Sequence, residues 1–284
     1  MAEMLFERSK TVIAFDARFV TGAVASWSIR GPRLRVLERV AVRSGALVPS
    51  PTEANIVDPT ALGEALKTLG RSLTGTPRRA ILVLPEGIAR ILLLEAEGRL
   101  DIRELGRFRM AAALPYPANE AILDTMPLEG RRHLCGAVRR SVVEGYEIAM
   151  ARAGFAVVDR VELAPFLAVG GLRRLVSPKD DGVALLLGDA AVSFVAFRRG
   201  RLEAFRTRLR AGARDELDWL RAEVSRTAAL LELRGPVTTV VLGSGAAAVV
   251  DSLQTAGCTA RLAAGGPGAP ASGGELAWLG SALA

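Results

Sequence analysis

The stretch that decides the fold is Thr11-Val12-Ile13-Ala14-Phe15-Asp16, an apolar run that ends in a carboxylate. Two more runs of alternating apolar and polar residues follow, at 22–29 and 34–42, with a turn signal at Arg30-Gly31-Pro32. A period of two residues is typical of β-strands with one buried face. The sequence therefore predicts a three-stranded meander whose first strand ends at Asp16.

The same pattern returns in the second half of the chain. Val183–Leu187 is an apolar strand, the segments 192–198 and 201–209 predict the next two strands, and Arg199-Gly200 is typical of a hairpin turn. The two meanders share element order and spacing but few residue identities. We infer an internal duplication of long period, which predicts an α/β protein with two similar lobes around a cleft.

Other segments predict the elements that complete each lobe. A helix is expected over 59–73 with Asp58 as its N-cap and Pro59 in its first turn. Residues 177–182 contain Pro, Lys, two Asp and Gly, and are the clearest linker in the chain. The remaining predicted elements are helices over 103–113, 141–154, 164–175, 214–233, 246–256 and 275–283, and strands over 79–85, 88–96, 121–128, 132–139, 157–161 and 237–242.

These elements divide the chain into three parts. Residues 1–85 and 146–178 form the predicted first lobe, and residues 179–284 form the second. Residues 86–145 form a small α+β subdomain inserted into the first lobe. Between the second meander and the strand at 237 there is room for one helix only.

The composition excludes several catalytic chemistries. The 284 residues contain one histidine, His133, and two cysteines, Cys135 and Cys258, so a Cys/His zinc site cannot be completed. A Ser-His-Asp or Cys-His mechanism would depend wholly on His133, which lies in a predicted strand and is interpreted as structural. Two cysteines without a disulfide framework are typical of a reducing compartment.

The charge pattern favours neither a membrane span nor a nucleic-acid site. The chain has 37 Lys and Arg against 30 Asp and Glu, but its arginines are spread along the sequence and only 9 Phe, 3 Trp and 2 Tyr are present. The apolar stretches 183–197 and 237–250 are shorter than the roughly 20 residues that a membrane helix needs. Residues 1–10 carry no secretory pattern. We expect a cytosolic protein that binds no nucleic acid and reaches a membrane only through partners.

Several motifs recur in a fixed order along the chain: Val12–Asp16 and Val183–Leu187 at the start of each lobe, Ala113-Leu114-Pro115-Tyr116-Pro117 followed by Ala121-Ile122-Leu123-Asp124, and Val241-Leu242-Gly243-Ser244-Gly245-Ala246. Together they resemble the actin-like superfamily and, within it, the PilM family of type IV pilus assembly proteins. The segments Val142–Tyr146 and Ala153-Gly154-Phe155 add to this resemblance. The Pro-Tyr-Pro segment is the most distinctive of these pieces.

This resemblance implies a fold, a location and partners. It implies an actin-like fold of duplicated ribonuclease H-like lobes, with a small subdomain inserted in the first lobe and a reduced or missing lid subdomain in the second. It further implies a scaffold at the inner membrane that binds the short cytoplasmic tail of a PilN-like membrane protein. Through that tail the scaffold would connect a pilus alignment complex to motor ATPases. The cytoplasmic part of the secretion protein GspL is a related case, so a type II secretion platform is the close variant.

The resemblance also locates a nucleotide site, at Asp16, Asp189, Gly243 and Gly245. Both phosphate loops depart from the family pattern. The first reads Asp16-Ala17-Arg18-Phe19-Val20, in which Arg18 replaces a glycine, and the second puts Leu187 where the family has an aspartate. Asp189 would substitute only after a shift of two residues. We expect weak or absent ATP binding, no hydrolysis, no catalytic residues and no metal, and the Asp16 and glycine positions are interpreted as vestigial.

Three alternatives stay open from the sequence. Arg18 either pairs with or mimics a phosphate, or it forms a salt bridge with Asp16. Gly243–Ala248 matches the dinucleotide pattern G-x-G-x-x-A, but it lies near the C-terminus without an acidic residue about 20 positions later. A working actin-like ATPase or phosphotransferase would use Mg-ATP in the cleft, with Asp16 and Asp189 beside the metal.

Overall fold

The computed structural model describes most of the chain. The described residues are 9–28, 31–73, 79–96, 101–155, 157–175, 181–210, 216–232, 237–243 and 245–263. Within these ranges no helix is long and apolar enough to cross a membrane. The predicted closing helix at 275–283 lies outside them, as does most of the predicted linker at 177–182.

The described residues form three sheets and six α-helices. The strands are β1 (Ser9–Phe15), β2 (Phe19–Ser28), β3 (Gly31–Ala41), β4 (Arg79–Leu84), β5 (Arg90–Glu95), β6 (Ala121–Pro127), β7 (Arg132–Arg139), β8 (Val157–Leu163), β9 (Gly182–Leu187), β10 (Ala191–Arg198), β11 (Arg201–Leu209), β12 (Thr238–Gly243) and β13 (Ala260–Leu262). The helices are α1 (Pro59–Ser72), α2 (Ile102–Ala111), α3 (Arg140–Arg152), α4 (Ala164–Leu175), α5 (Glu216–Leu230) and α6 (Ala246–Thr255).

The two large sheets have the same topology. The first has the strand order β3-β2-β1-β4-β8, and the second has the order β11-β10-β9-β12-β13. In each, the meander is antiparallel and the last two strands run parallel to the first strand of the meander. The predicted duplication and the two-lobed α/β fold are confirmed.

The loop after the first strand is shorter than the sequence indicated. β2 begins at Phe19, three residues before the predicted start, and Val20 pairs with Phe15 across the sheet. Val20 is fully buried in the first-lobe core. Burial of this apolar side chain is favourable, so β2 begins early enough to include it. The tight turn therefore contains only Asp16, Ala17 and Arg18.

Helix α1 shows how the first lobe is held. The Asp58 side chain accepts hydrogen bonds from the amides of Thr60 and Ala61, as the N-cap prediction requires. Leu62, Leu66 and Leu69 recur at helical spacing on one face and are fully buried against the sheet and α3. Burial of each such leucine contributes about 2 kcal/mol.

The inserted subdomain is a three-stranded antiparallel sheet in the order β5-β7-β6, covered on one face by α2. Its other face packs toward the second lobe, where Leu134 and Ile91 join a core with Phe166, Phe197 and Phe205. Arg132 adds polar contacts, because it donates to the carbonyl of Leu202 at 3.0 Å and pairs with Glu203 at 2.7 Å. The subdomain thus bridges the two lobes.

Between β11 and β12 the described residues form the single helix α5, in agreement with the predicted reduced lid. Leu220 on α5 is fully buried against the second sheet, and Phe194 of β10 stacks edge-on with Trp219. The helix therefore covers the back of the second sheet.

Candidate functional site

The two meander turns meet between the lobes and form the candidate site. In the first turn the amide of Asp16 donates to the carbonyl of Phe19 at 2.9 Å. In the second the amide of Gly188 donates to the carbonyl of Ala191, also at 2.9 Å. The matched hydrogen bonds make Gly188 the counterpart of Asp16. The predicted match of Leu187 to that position was therefore wrong by one residue, and Asp189 lies one residue later, at the place of Ala17.

Asp16 is bound by both turns. Its Oδ1 accepts the amide of Ala17 at 2.8 Å, and its carboxylate also accepts the amide of Asp189 from the other lobe, at 3.2 Å to Oδ1 and 3.4 Å to Oδ2. Backbone amides in a tight turn are the groups that hold a phosphate in anion-binding loops. In this arrangement the amide of Asp189 faces the protein's own carboxylate.

Arg18 reaches across the cleft. Its guanidinium donates to Oδ1 of Asp189 at 2.6 Å, and the Arg18 side chain is 62% exposed while that of Asp189 is 2% exposed. The predicted salt bridge of Arg18 with Asp16 was wrong in its partner, because the guanidinium extends past Asp16 to the opposite turn. Oδ2 of Asp189 is buried without a hydrogen bond among the described residues.

A third carboxylate, Glu86, completes the site and was missed in the sequence. It follows Pro85 at the end of β4, is partly buried, and accepts a hydrogen bond from Oγ of Ser193 at 3.4 Å. It also lies against Gly188, where an added Cβ would come within 3.5 Å of Oε2 of Glu86. The signal available was an acidic residue at the carboxyl end of a buried parallel strand, where ligand-facing groups collect in α/β folds.

Burial and a neighbouring carboxylate raise the pKa of two of these residues, Asp16 and Glu86. Burial and then the charge of Asp189 raise the pKa of Asp16 to about 6. Burial and then the charge of Asp16 raise the pKa of Glu86 well above its usual range. Yet no three His, Cys, Asp or Glu side chains within the described ranges are placed to hold a metal ion together.

The two glycines of the predicted site have different surroundings. Gly243 ends β12 with φ of +103°, and a Cβ there would lie 2.1 Å from the carbonyl oxygen of Leu187. The close approach of β12 to β9 therefore requires this glycine. Gly245 precedes α6 with φ of +74° and open space around it. The strand and helix that a dinucleotide motif needs are both present, but packing alone explains the first glycine.

Arg210 links the second turn to helix α5. Its Nη1 donates to the carbonyl of Gly188 at 2.7 Å and its Nε donates to Glu216 of α5 at 2.6 Å. Because one side chain joins the turn to the helix, the position of Asp189 is set by α5 as well as by the sheet. The second turn is thus bonded to Arg18 of the first lobe and to Arg210 of its own lobe.

His133 and Cys135, the residues on which a histidine or cysteine mechanism would depend, both lie in β7 of the inserted subdomain. His133 is in β7, as predicted, and its Nδ1 is buried without a hydrogen bond among the described residues. Cys135 lies two residues later, under α2, where burial raises the pKa of its thiol to about 11. A thiol of this kind is a poor nucleophile at neutral pH.

Arginines at several strand ends have acidic partners. Arg139 bonds to Glu120 and to the carbonyl of Thr52, and Arg206 pairs with the buried Glu223 at 2.8 Å. Each of these two arginines therefore joins neighbouring elements through an acidic side chain.

The lobes, the turns and the inserted subdomain define an actin-like fold. A protein from Bacteroides thetaiotaomicron with an actin-like ATPase fold and unknown function has a TM-score of 0.62 and 10% identity, over 100% of this chain and 98% of that one. More similar still is a solved PilM-PilN type IV pilus biogenesis complex, with a TM-score of 0.76 and 20% identity over 96% of this chain and 97% of that one. The PilM-like, actin-like architecture expected from the sequence is confirmed.

One further solved structure and the comparisons of sequence alone gave weaker or no similarity. The cytoplasmic domain of EpsL, an inner-membrane component of the type II secretion system of Vibrio cholerae, covers 83% of this chain at 11% identity with a TM-score of 0.49. In sequence alone, the chain matches no protein-family model and has no significant similarity to a curated protein.

Proposed function

We propose that this protein is a cytoplasmic scaffold of a type IV pilus assembly platform, or of a related type II secretion platform. It binds the short cytoplasmic tail of a PilN-like membrane protein, is peripheral to the inner membrane through that partner, and works without ATP hydrolysis. Its further partners are a pilus alignment complex and motor ATPases. The fold it shares with the PilM of a PilM-PilN complex supports the choice of partner.

One observation carries the proposed loss of nucleotide chemistry. The groups that would meet a phosphate are bonded to each other across the cleft, since Asp16 accepts the amide of Asp189 and Arg18 pairs with the Asp189 carboxylate. Entry of a triphosphate would bring negative charge beside the Asp16 carboxylate and would have to displace the Arg18–Asp189 pair. These contacts oppose a nucleotide, and we propose no ATP or Mg²⁺ cofactor.

We propose that the tail binds at a seat between two sheet edges. Among the described residues β6 pairs only with β7, and β8 pairs only with β4, so each is an outer strand of its sheet. The two strands lie near each other, because Gly136, the cross-strand partner of Asp124 in β6, packs against β8: a Cβ on Gly136 would lie 2.9 Å from Cδ1 of Leu163. An extended peptide bonds well to an open strand edge, and the exposed carboxylate of Asp124 favours a tail with positive charge. Glu162 is paired with Arg160 at 2.6 Å.

Binding of the tail peptide tests this proposal. The peptide is taken from the short-tailed, single-span membrane protein encoded beside this gene and measured by fluorescence anisotropy. We expect Asp124→Lys to weaken binding at least tenfold, because it reverses a charge at the seat. Glu144→Lys on the exposed side of α3 is the matched control, since it makes the same charge reversal away from the seat, and it should bind normally. Absence of such a neighbour together with absence of peptide binding would overturn the scaffold role.

A working actin-like ATPase is the second candidate. It is favoured by the convergence of Asp16, Glu86 and Asp189 at the carboxyl ends of strands from both lobes. Calorimetry with ATP and Mg²⁺ separates the two candidates. Micromolar binding that Asp16→Ala abolishes would support the ATPase candidate and contradict the scaffold without nucleotide.

A further inference from the structure

Helix α2 of the inserted subdomain presents an unusual outer face. Phe108 at its middle is 75% exposed, more than any other large apolar side chain in the described part of the chain. Gly106 and Met110 are buried on the opposite side, where a Cβ on Gly106 would meet Sγ of Cys135 at 3.0 Å. This tight inner contact fixes the rotation of the helix. Because Gly106 and Met110 face the sheet, Phe108 on the opposite side of the helix faces solvent.

Positive charge flanks the phenylalanine. In a helix with 3.6 residues per turn, Arg107 and Arg109 lie about 100° to either side of Phe108, and Arg103 lies one turn earlier beside Arg107. All three arginines are exposed, and none forms an ion pair with a described residue.

The acidic residues of α2 lie at its beginning. The carboxylate of Asp101 caps the helix by accepting the amide of Arg103 at 2.8 Å. Glu104 lies on the outer face, one turn before Phe108. The C-terminal half of the helix therefore combines an aromatic tip with arginines and no carboxylate.

Small residues continue this surface at the end of the helix. Ala111 and Ala112 follow Phe108 at spacings of three and four, and Ala112 keeps helical dihedral angles at the C-cap, so both extend the same side of the helix. Both are exposed. We call Phe108, Ala111, Ala112, Arg107 and Arg109 the α2 face.

We propose that the α2 face contacts the headgroup region of an anionic membrane. An aromatic ring at the centre with arginines on both sides is the arrangement that interfacial helices use, because the ring enters the acyl boundary while the guanidinium groups meet lipid phosphates. Nucleic-acid platforms stack several aromatic rings, whereas this face has one, and an acidic protein partner would leave the apolar tip without a role.

This inference rests on the proposed function. A tail held by the inserted subdomain is joined to a membrane protein, so the subdomain that carries α2 is kept close to the lipid surface. One phenylalanine and three arginines bind lipid weakly by themselves, with each arginine contributing about a fivefold gain in affinity. Tethering by the tail supplies a high effective concentration, which makes a weak second contact sufficient.

Co-sedimentation with vesicles tests the proposal on the full chain. We expect binding at millimolar lipid to vesicles of phosphatidylethanolamine with 30% phosphatidylglycerol, little binding to pure phosphatidylcholine, and loss of binding in 0.5 M salt. Phe108→Ser is expected to lower the affinity roughly tenfold, and Arg107→Glu with Arg109→Glu at least as much. The control Ile148→Ser with Arg152→Glu changes a similarly exposed pair on α3 and should bind as the unchanged protein does.

The outcomes separate this inference from the scaffold role. Equal binding to anionic and neutral vesicles, or unchanged binding by the α2 variants, overturns it. Loss of binding to an acidic peptide or to DNA in the same variants, with no vesicle binding, assigns the face to another partner and also overturns it. Tail-peptide affinity is measured in parallel, and vesicle binding that persists without tail binding removes the scaffold role while supporting the membrane contact. Circular dichroism and thermal unfolding confirm that each variant folds.

Discussion

The two meander turns have the same backbone plan and opposite chemistry. Each closes with one hydrogen bond across three residues, and each follows the central strand of its sheet. The first turn contributes a carboxylate and a guanidinium, from Asp16 and Arg18. The second contributes a backbone amide and a carboxylate, both from Asp189. The two duplicated turns are thus complementary to each other, and the groups of one turn bond to the groups of the other across the cleft.

The strands behind the turns differ as well. β12 ends at Gly243, which pairs with Leu187 of β9, whereas the corresponding residue of β4 is Leu84. The second lobe therefore depends on a close backbone approach that the first lobe lacks. This difference gives the largest expected effect.

Gly243→Ala should destabilise the protein by at least about 3 kcal/mol, because the new Cβ would overlap the Leu187 carbonyl and φ is positive. Urea unfolding measures the change in the free energy of unfolding. Gly245→Ala, with positive φ but open space, is the control and should cost only about 1 kcal/mol. Equal costs at the two glycines would contradict the close approach of β12 to β9.

Asp16→Asn tests the charge of the first turn. The pKa of Asp16 is raised to about 6, so the folded state binds more protons than the unfolded state between pH 4 and pH 6. The contribution of Asp16 to stability is therefore greatest below pH 4 and falls as pH rises to 6. We expect Asn to stabilise the protein by about 2 kcal/mol at pH 7.5 and to have little effect at pH 4.

The comparison at two pH values is the informative one. Asn keeps an oxygen that accepts the amides of Ala17 and Asp189, so the substitution removes charge with little change in shape. Asp251→Asn, on the exposed side of α6, controls for the loss of one negative charge. A gain that is the same at both pH values would show that burial of the Asp16 charge is not the cause.

The pair of Arg18 and Asp189 gives the smallest effect. A double-mutant cycle with Arg18→Ala and Asp189→Asn should yield a coupling energy of about 1 kcal/mol, since the arginine is mostly solvated although its partner is buried. The coupling should decrease in 0.5 M salt. The exposed pair Asp218 and Arg221 on α5 is the control, with coupling near zero. A coupling energy no larger than that of the control pair would show that the Arg18–Asp189 ion pair does not help to hold the two lobes together.

Much of the fold could be predicted from the sequence, because alternation and helical spacing are local properties. Asp58 marked the start of α1, and the two meanders were recognised from their apolar runs. The start of β2 was predicted three residues late, since Arg18-Phe19-Val20 does not alternate in a simple way. Burial of Val20 in the first-lobe core decided that register.

The candidate site was only half predictable, and the physical reason is separation along the chain. The sequence by itself determined that Asp16 ends a buried strand and that the lobes repeat. The tertiary structure alone decided that Arg18 meets Asp189, 171 residues away, and that Glu86 meets Ser193, 107 residues away. Periodicity reports which face of an element is buried, whereas the partner of a buried charge depends on which sheet edges the packing of two lobes brings together.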